Sequence, residues 1–279
     1  MLTRGGRALM LIDIHAHAAG NYGTVESLKD MAGKYNIEKI VLCTSPKNMQ
    51  NLKKPPSMPF KQKPDSIYKM NRMNRLAYNH FFKDNGNGNQ YVYELKKQLP
   101  DLVIQFLWVN PLDVEEMNQL ENTIRTYQPR GIKLHQAWNS FKIEGKEFKK
   151  LVDISSFYNL PVFIHIYSKK EVLSLLRFIK ENPAAIFIIG HLTGVDLFND
   201  SGINLKNIYF DTSSSKRIQG SDIKQAIDAF GYDHIVFGTD TPYASIEEQI
   251  DRIEQLNLSE MIKEHIYSLN ARNILNLGK

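Results

Sequence analysis

The sequence predicts a single (β/α)8 TIM barrel, and three features carry that prediction. Eight short runs rich in β-branched and aromatic residues recur along the 279 residues, separated by stretches of helical periodicity. The runs are almost continuously apolar, which suits strands buried on both faces of a parallel sheet better than half-exposed antiparallel strands. A chain of this length exceeds the usual single domain, yet barrels of alternating strands and helices reach it as one unit. With 42% hydrophobic and 23% charged residues there is ample material for one large core, and residues 1–279 are read as one domain.

Taken in order, the first run is ALMLIDIHA (8–16). Early arginines and a short apolar stretch raise the question of a secretory leader, but the stretch reaches His15 too soon for an apolar core and a cleavage site, so it is read as a strand. KIVLCT (39–44) follows, and its Cys43 is the chain's only cysteine. That excludes internal disulfides and a thiolate-rich metal cage, and a buried small hydrophobe is the expected role rather than a catalytic thiol. LVIQFLWV (102–109) is the third run, with Trp108 expected in the core. Residues 114–127 place apolar side chains at three- and four-residue spacing and lead into GIKLH (131–135). Residues 146–158 do the same ahead of PVFIHI (161–166), and residues 170–182 ahead of AIFIIGH (185–191). IYFDT (208–212) and HIVFGTD (234–240) complete the eight. No stretch approaches the roughly 18 apolar residues of a membrane-spanning helix. No membrane partner is therefore expected, and the cytoplasm is the default location.

Successive runs lie roughly 21 to 31 residues apart, except that the second and third are separated by about 65. The exception marks an insertion, assigned to residues 46–97. Its prolines in KKPPSMPFKQKP forbid regular structure, YKMNRMNRLAYNHFF predicts a helix, and NGNGN predicts turns. It holds nine Lys and two Arg against two Asp and one Glu, a charge of +8, so the rest of a chain whose total is +5 is mildly acidic at −3. Because it follows a strand it belongs on the face where such barrels carry their chemistry, as a lid or clamp drawing in a small anionic substrate. A solvated excursion and a contact within a homo-oligomer are the other readings. No nucleic-acid partner is expected, since the basic run lacks a recognition motif.

The chemistry sits at strand ends. His15 and His17 share one side of the first strand by the two-residue repeat, and such a pair can chelate one ion. A lone H-x-H is a weak signal. His165 closes the fifth run, His191 the sixth and Asp240 the eighth, however, and the carboxyl ends of barrel strands converge on one opening. Nitrogens of His15, His17 and His165 and an oxygen of Asp240 can there surround one divalent cation. This N/O donor set suits zinc, and also manganese or iron(II). Any one of these residues alone reads as ordinary packing; together, at one end of the barrel, they do not. His234 begins the last strand, His80 and His265 lie in helical segments, and all three take the packing role. His135 and Trp138 after the fourth strand, Tyr167 after the fifth and Tyr243 after the eighth are expected to line the pocket as substrate contacts. Asn139, Ser168 and residues 211–214 are softer candidates for the same role.

DIHAH at 13–17, GIKLH at 131–135, PVFIHI at 161–166, IIGHLTG at 188–194, FGTDTPY at 237–243 and the closing IYSLNARNILNL at 266–277 together resemble the amidohydrolase superfamily. Within it they resemble the amidohydrolase 2 branch of barrel-shaped hydrolases and decarboxylases, over nearly the whole chain. The resemblance implies that His15, His17, His165 and Asp240 ligate the metal. It also implies that His191 is catalytic, as a proton carrier or, where a second ion is present, as its ligand. Some members bridge two metals with a carboxylated strand-four lysine; the preferred reading keeps Lys133 as a deeper barrel residue neutralised by a nearby acid.

The leading expectation is metal-dependent hydrolysis of an amide, ester or lactone bond. A bound divalent ion lowers the pKa of water from about 15.7 toward about 7, and Asp240 is placed to take and return the proton. The alternative is non-oxidative decarboxylation of an aromatic or unsaturated carboxylic acid on the same scaffold. A ligand-binding barrel without turnover is the third reading, disfavoured by an intact donor set.

Overall fold

The computed structural model describes residues 3, 4, 7–45, 68, 69, 71–73, 75, 88–202, 206–214 and 218–278, with side chains from residue 9 onward. Eight strands pair in parallel and in chain order: β1 (Leu11–His17), β2 (Ile37–Cys43), β3 (Val103–Trp108), β4 (Gly131–His135), β5 (Val162–His165), β6 (Phe187–Ile189), β7 (Ile208–Asp211) and β8 (Ile235–Val236). Each falls within one of the apolar runs or overlaps it. The sheet closes on itself just past β8. Ile14 N donates to Phe237 O (3.0 Å), Thr239 N and Asp240 N both donate to His15 O (3.2 and 2.7 Å), and His17 N donates to Thr241 O (2.8 Å). The predicted TIM barrel is the observed fold.

Helix boundaries follow local chemistry. Thr24 caps Val25–Tyr35 in a reciprocal box with Ser27, and Asn36 ends that helix in the left-handed region. Asp113 caps Val114–Tyr127, and Ser168 caps Lys169–Glu181, which turns a candidate pocket residue into a structural one. With Lys146–Phe157, these are the amphipathic helices expected from spacing. Their buried faces, including Leu120, Phe148 and Leu175, pack in one cluster with Leu11, Ile40, Leu107, Ile132, Ile164 and Phe210 of the strands.

A second apolar layer fills the barrel interior with Ile12, Ile14, Val41, Ile104, Phe106, Phe163, Ile188 and Val236. Gly131 is required there, because a Cβ at that position would meet the Phe106 ring at 2.5 Å. Ala271, Ile274 and Leu275 of the C-terminal helix join this layer, while Asn270 Nδ2 donates to Tyr232 O and Ile235 O at 2.7 Å each. The closing NARNIL segment therefore plugs the end at which the strands begin.

β1 departs from simple alternation. Leu11 faces the outer layer and Ile12 and Ile14 the inner one, so an unbroken two-residue repeat would turn His15 and His17 outward. The pairing with β2 slips between Asp13 and Ala16. This bulge switches the faces: the His15 ring lies 4.3 Å from Phe163 in the interior, and Ala16 joins the outer layer.

The insertion is shorter than the sequence reading made it. Asn89–Gln98, within or beside the 46–97 assignment, is the crossover helix into β3 and buries Val92 and Leu95. The proline-rich stretch, His80 and most of NGNGN lie outside the described residues. From the helix expected at 68–82, residues 68, 69, 71–73 and 75 are described and are helical. No described helix is long and apolar enough to cross a membrane.

Candidate functional site

β1 and the turn after β8 build the centre. His15 Nδ1 lies 3.0 Å from Asp211 Oδ2, at the end of β7, and 3.0 Å from Ser213 Oγ. His17 Nδ1 lies 2.9 Å from Thr44 O. With each Nδ1 donating to an oxygen, the neutral form of each ring has its lone pair on Nε2, and Asp240 Oδ1 lies 3.5 Å from that of His15 and 3.4 Å from that of His17. Lone pairs facing a carboxylate repel unless positive charge stands between them, which is how a cation site is built. The same need shows in the protonation of these side chains. Burial opposes charge on His17, yet the neighbouring Cys43 and Asp240 raise its pKa to about 10. Burial likewise opposes charge on Asp240, yet His15, His17 and His191 hold it well below the ordinary carboxylate range. The ligating atoms of buried His15, His17 and Asp240 all lie within 4.8 Å of one another, and those of His15, His191 and Asp211 form a second such group. The residues present fit a divalent cation.

His165 is not in that group of three. Its Nδ1 lies 3.2 Å from His191 Nε2, and the His191 ring centroid is 4.8 Å from that of His165 and 5.3 Å from that of His15. The fourth expected ligand thus joins the cluster through His191. His191 Nδ1 lies 2.9 Å from Ser213 Oγ, which also contacts Asp211. Both His191 (φ +59°) and Asp240 (φ +58°) adopt the left-handed backbone that side chains rarely occupy, a strain that turns them off their strand lines.

Lys133 lies deep, as expected, with Asp240 and Asp211 as the acids that act on it. Its Nζ lies 2.7 Å from His15 Nε2 and 3.8 Å above the Phe163 ring. Burial lowers its pKa while Cys43, Asp240 and Asp211 act in the opposite sense. Cys43 and Trp108, both expected in the core, are buried, but the Trp108 ring also stacks on Trp138 beside the cluster. His234 and His265 keep packing roles, with Nδ1 on Ile208 O and near Asn270 Oδ1.

The predicted contacts form a wall beside the cluster. His135, 6% exposed, stacks at 4.6 Å on Trp138 and at 4.0 Å on His165, and Trp138 stacks at 4.8 Å on Trp108. His135 Nδ1 has no hydrogen-bond partner among the described residues, and burial keeps the ring neutral by lowering its pKa well below the ordinary value. Asn139 accepts from Trp108 Nε1 at 3.2 Å, so it positions the wall. Tyr243 meets His17 edge-on at 5.1 Å, and Tyr167 carries the Arg75 guanidinium 3.6 Å above its ring. A separate cleft of about 600 Å³ opens among Lys39, Lys96, Arg130 and Ile274 at the opposite end of the barrel; it offers no histidine or carboxylate.

The amidohydrolase 2 family profile, described as amidohydrolase, matches residues 12–277. The chain belongs to the amidohydrolase family. Solved structures with the same fold include the 2,6-dihydroxybenzoate decarboxylase from Rhizobium (14% identity, 96% of this chain and 98% of that one, TM-score 0.67). The dihydroxybenzoic acid decarboxylase from Polaromonas, solved with manganese and the inhibitor 2-nitroresorcinol, is similar (16%, 96% and 97%, 0.66). So is the 4-oxalomesaconate hydratase from Rhodopseudomonas palustris (14%, 96% and 96%, 0.65). No curated protein matches the sequence. At these identities the likeness shows the fold of this amidohydrolase-family chain.

Sequence reasoning missed three contributors. Asp13 accepts from Thr239 N and Oγ1 at 3.0 and 2.7 Å, and burial raises its pKa to about 7. Asn71 and Arg75 reach the site from the insertion, and nothing in KMNRMNR distinguishes them from solvated helix residues. Asp211 and Ser213, expected only as pocket lining, orient His15 and His191.

Proposed function

We propose that this amidohydrolase-family chain is a metal-dependent decarboxylase of an aromatic or unsaturated carboxylic acid. The observation that carries the reading is the aromatic wall. Stacked Trp108, Trp138 and His135 stand beside the His15, His17 and Asp240 group, with the unpartnered Nδ1 of His135 among them. A flat ring gains from offset stacking on such a wall, and the buried nitrogen gains a polar partner from a ring substituent. The aromatic-acid decarboxylases of the same fold support this reading over hydrolysis, which the sequence placed first.

His15, His17 and Asp240, with His165, would hold the cation; manganese in the Polaromonas enzyme supports manganese here, and the N/O donor set also suits zinc. Once bound, that cation supplies a Lewis acid that fixes and polarises substrate oxygens. The chain's own residues do the rest. The wall orients the ring. His191 holds the proton delivered to the ring carbon as its bond to the carboxyl group breaks and carbon dioxide leaves, and the ionised Asp240 favours the protonated form of that histidine. The positive charge of the insertion attracts the carboxylate. Arg75 donates to Gln136 O (2.8 Å) and Ala137 O (3.2 Å), which supports the insertion as a clamp over the mouth.

Hydrolysis of an amide, ester or lactone remains the second reading, because Asp240 and His191 around a cation serve water activation equally well. A panel of dihydroxybenzoates, other aromatic and unsaturated acids, amides, esters and lactones separates the two when incubated with manganese- and zinc-loaded protein. Carbon dioxide released in step with loss of an acid is the expected result. Amine or alcohol release without carbon dioxide would establish hydrolysis instead.

A further inference from the structure

Asn71 is completely buried although it comes from a segment that the barrel itself does not require. Its side-chain nitrogen lies 2.7 Å from Ile166 O and 3.0 Å from Tyr167 O, the two carbonyls that follow β5. Carbonyl oxygens only accept, so the NH2 end must face them and Oδ1 must face His165 Nε2, 2.6 Å away. The amide oxygen also only accepts. The hydrogen in that contact therefore belongs to His165 Nε2, and in the neutral ring Nδ1 keeps its lone pair. Nδ1 is the nitrogen that lies 3.2 Å from His191 and points the ring into the cluster.

We propose that Asn71 is a positioning residue that sets the tautomer of His165, and through it the cation affinity of the centre. The inference rests on the reading of His165 as a metal ligand through Nδ1. Outer contacts of this kind fix which nitrogen of a ligating histidine is available, and their loss costs about 10- to 100-fold in metal affinity. Arg75, one turn further along the same helical segment, anchors it. It donates to Gln136 O and Ala137 O after β4 and lies over the Tyr167 ring after β5. Docking of the insertion and competence of the metal centre are thereby joined through one side chain.

The test uses the full chain and two readouts other than turnover. Ring-nitrogen NMR of 15N-histidine-labelled, metal-free protein, with the His165 signal assigned by its loss in His165→Gln, should show Nε2 protonated and Nδ1 bare. In Asn71→Ala the same ring should become a tautomer mixture. Chelator competition with manganese and zinc should give a dissociation constant about 10- to 100-fold weaker in Asn71→Ala. A wild-type His165 protonated at Nδ1, or an Asn71→Ala protein that binds both metals as tightly as wild type, overturns the proposal. If His165→Gln also binds as wild type, the ligand reading of His165 fails with it; if only His165→Gln weakens binding, the ligand reading stands and the Asn71 inference falls. Should Asn71→Ala not fold, the wild-type tautomer decides.

Discussion

Single side chains in this centre are committed at one atom and available at another, and that division is what mutation can probe. His191 is tied at Nδ1 to Ser213 and presents Nε2 toward His165. His191→Asn is expected to lower turnover about 10²- to 10⁴-fold, the range for loss of a proton carrier. Metal bound per chain, measured by elemental analysis after dialysis, should stay near wild type; full turnover in the variant would remove the assigned role. Gly238 offers a second probe, since a Cβ there would lie 2.1 Å from Asp211 Oδ1 and 3.0 Å from His15 Cβ. Gly238→Ala should push Asp211 off His15 and weaken cation binding by about 10- to 100-fold in a chelator titration. Undiminished binding would show that Asp211 does not hold that ring. The histidines and Asp240 were legible in the sequence because strand ends advertise them. Asp211 was legible only as lining, because its value lies in a partner 196 positions away.

Strands and helices were the most legible level, since a two- or near-four-residue repeat is a local property of the chain. The three helices at 114–127, 146–157 and 169–181 occur where spacing put them, with Asp113 and Ser168 as caps. The bulge in β1 was not legible, because it is a mismatch between two strands and not a pattern within one. Glu116, in the first turn of Val114–Tyr127, accepts from Asn110 N at 3.0 Å, and burial raises its pKa from 4.5 to about 7. Between those values the folded chain keeps a proton that the unfolded chain has released. Its contribution to stability therefore falls as pH rises across that window, by about 1.4 kcal/mol per pH unit at most, and falls no further above it. Glu116→Gln, neutral throughout, should show a correspondingly flatter loss between pH 5 and pH 7 in urea denaturation. Parallel profiles for the two proteins would mean that Glu116 is ionised in the fold.

The whole molecule depends on a seam. β1 and the turn after β8 meet through backbone hydrogen bonds and through Asp13, which Thr239 reaches with both its N–H and its hydroxyl across 226 positions of sequence. Thr239→Val removes the hydroxyl from a buried carboxyl and should cost about 1–3 kcal/mol, the penalty for a buried acceptor losing its partner. Guanidinium denaturation measures it, and a midpoint equal to wild type would show that the seam does not lean on this contact. The sequence by itself determined the number and order of strands, the covering helices and the strand ends that carry nitrogen and oxygen donors, because each is written in neighbouring residues. Only the tertiary structure decided which donors meet. The bulge turns His15 and His17 inward, closure brings Asp240 to them, and a buried asparagine arrives from the insertion to face His165. Those outcomes are set by register and closure between distant segments, and a repeat of two or four residues holds no record of either.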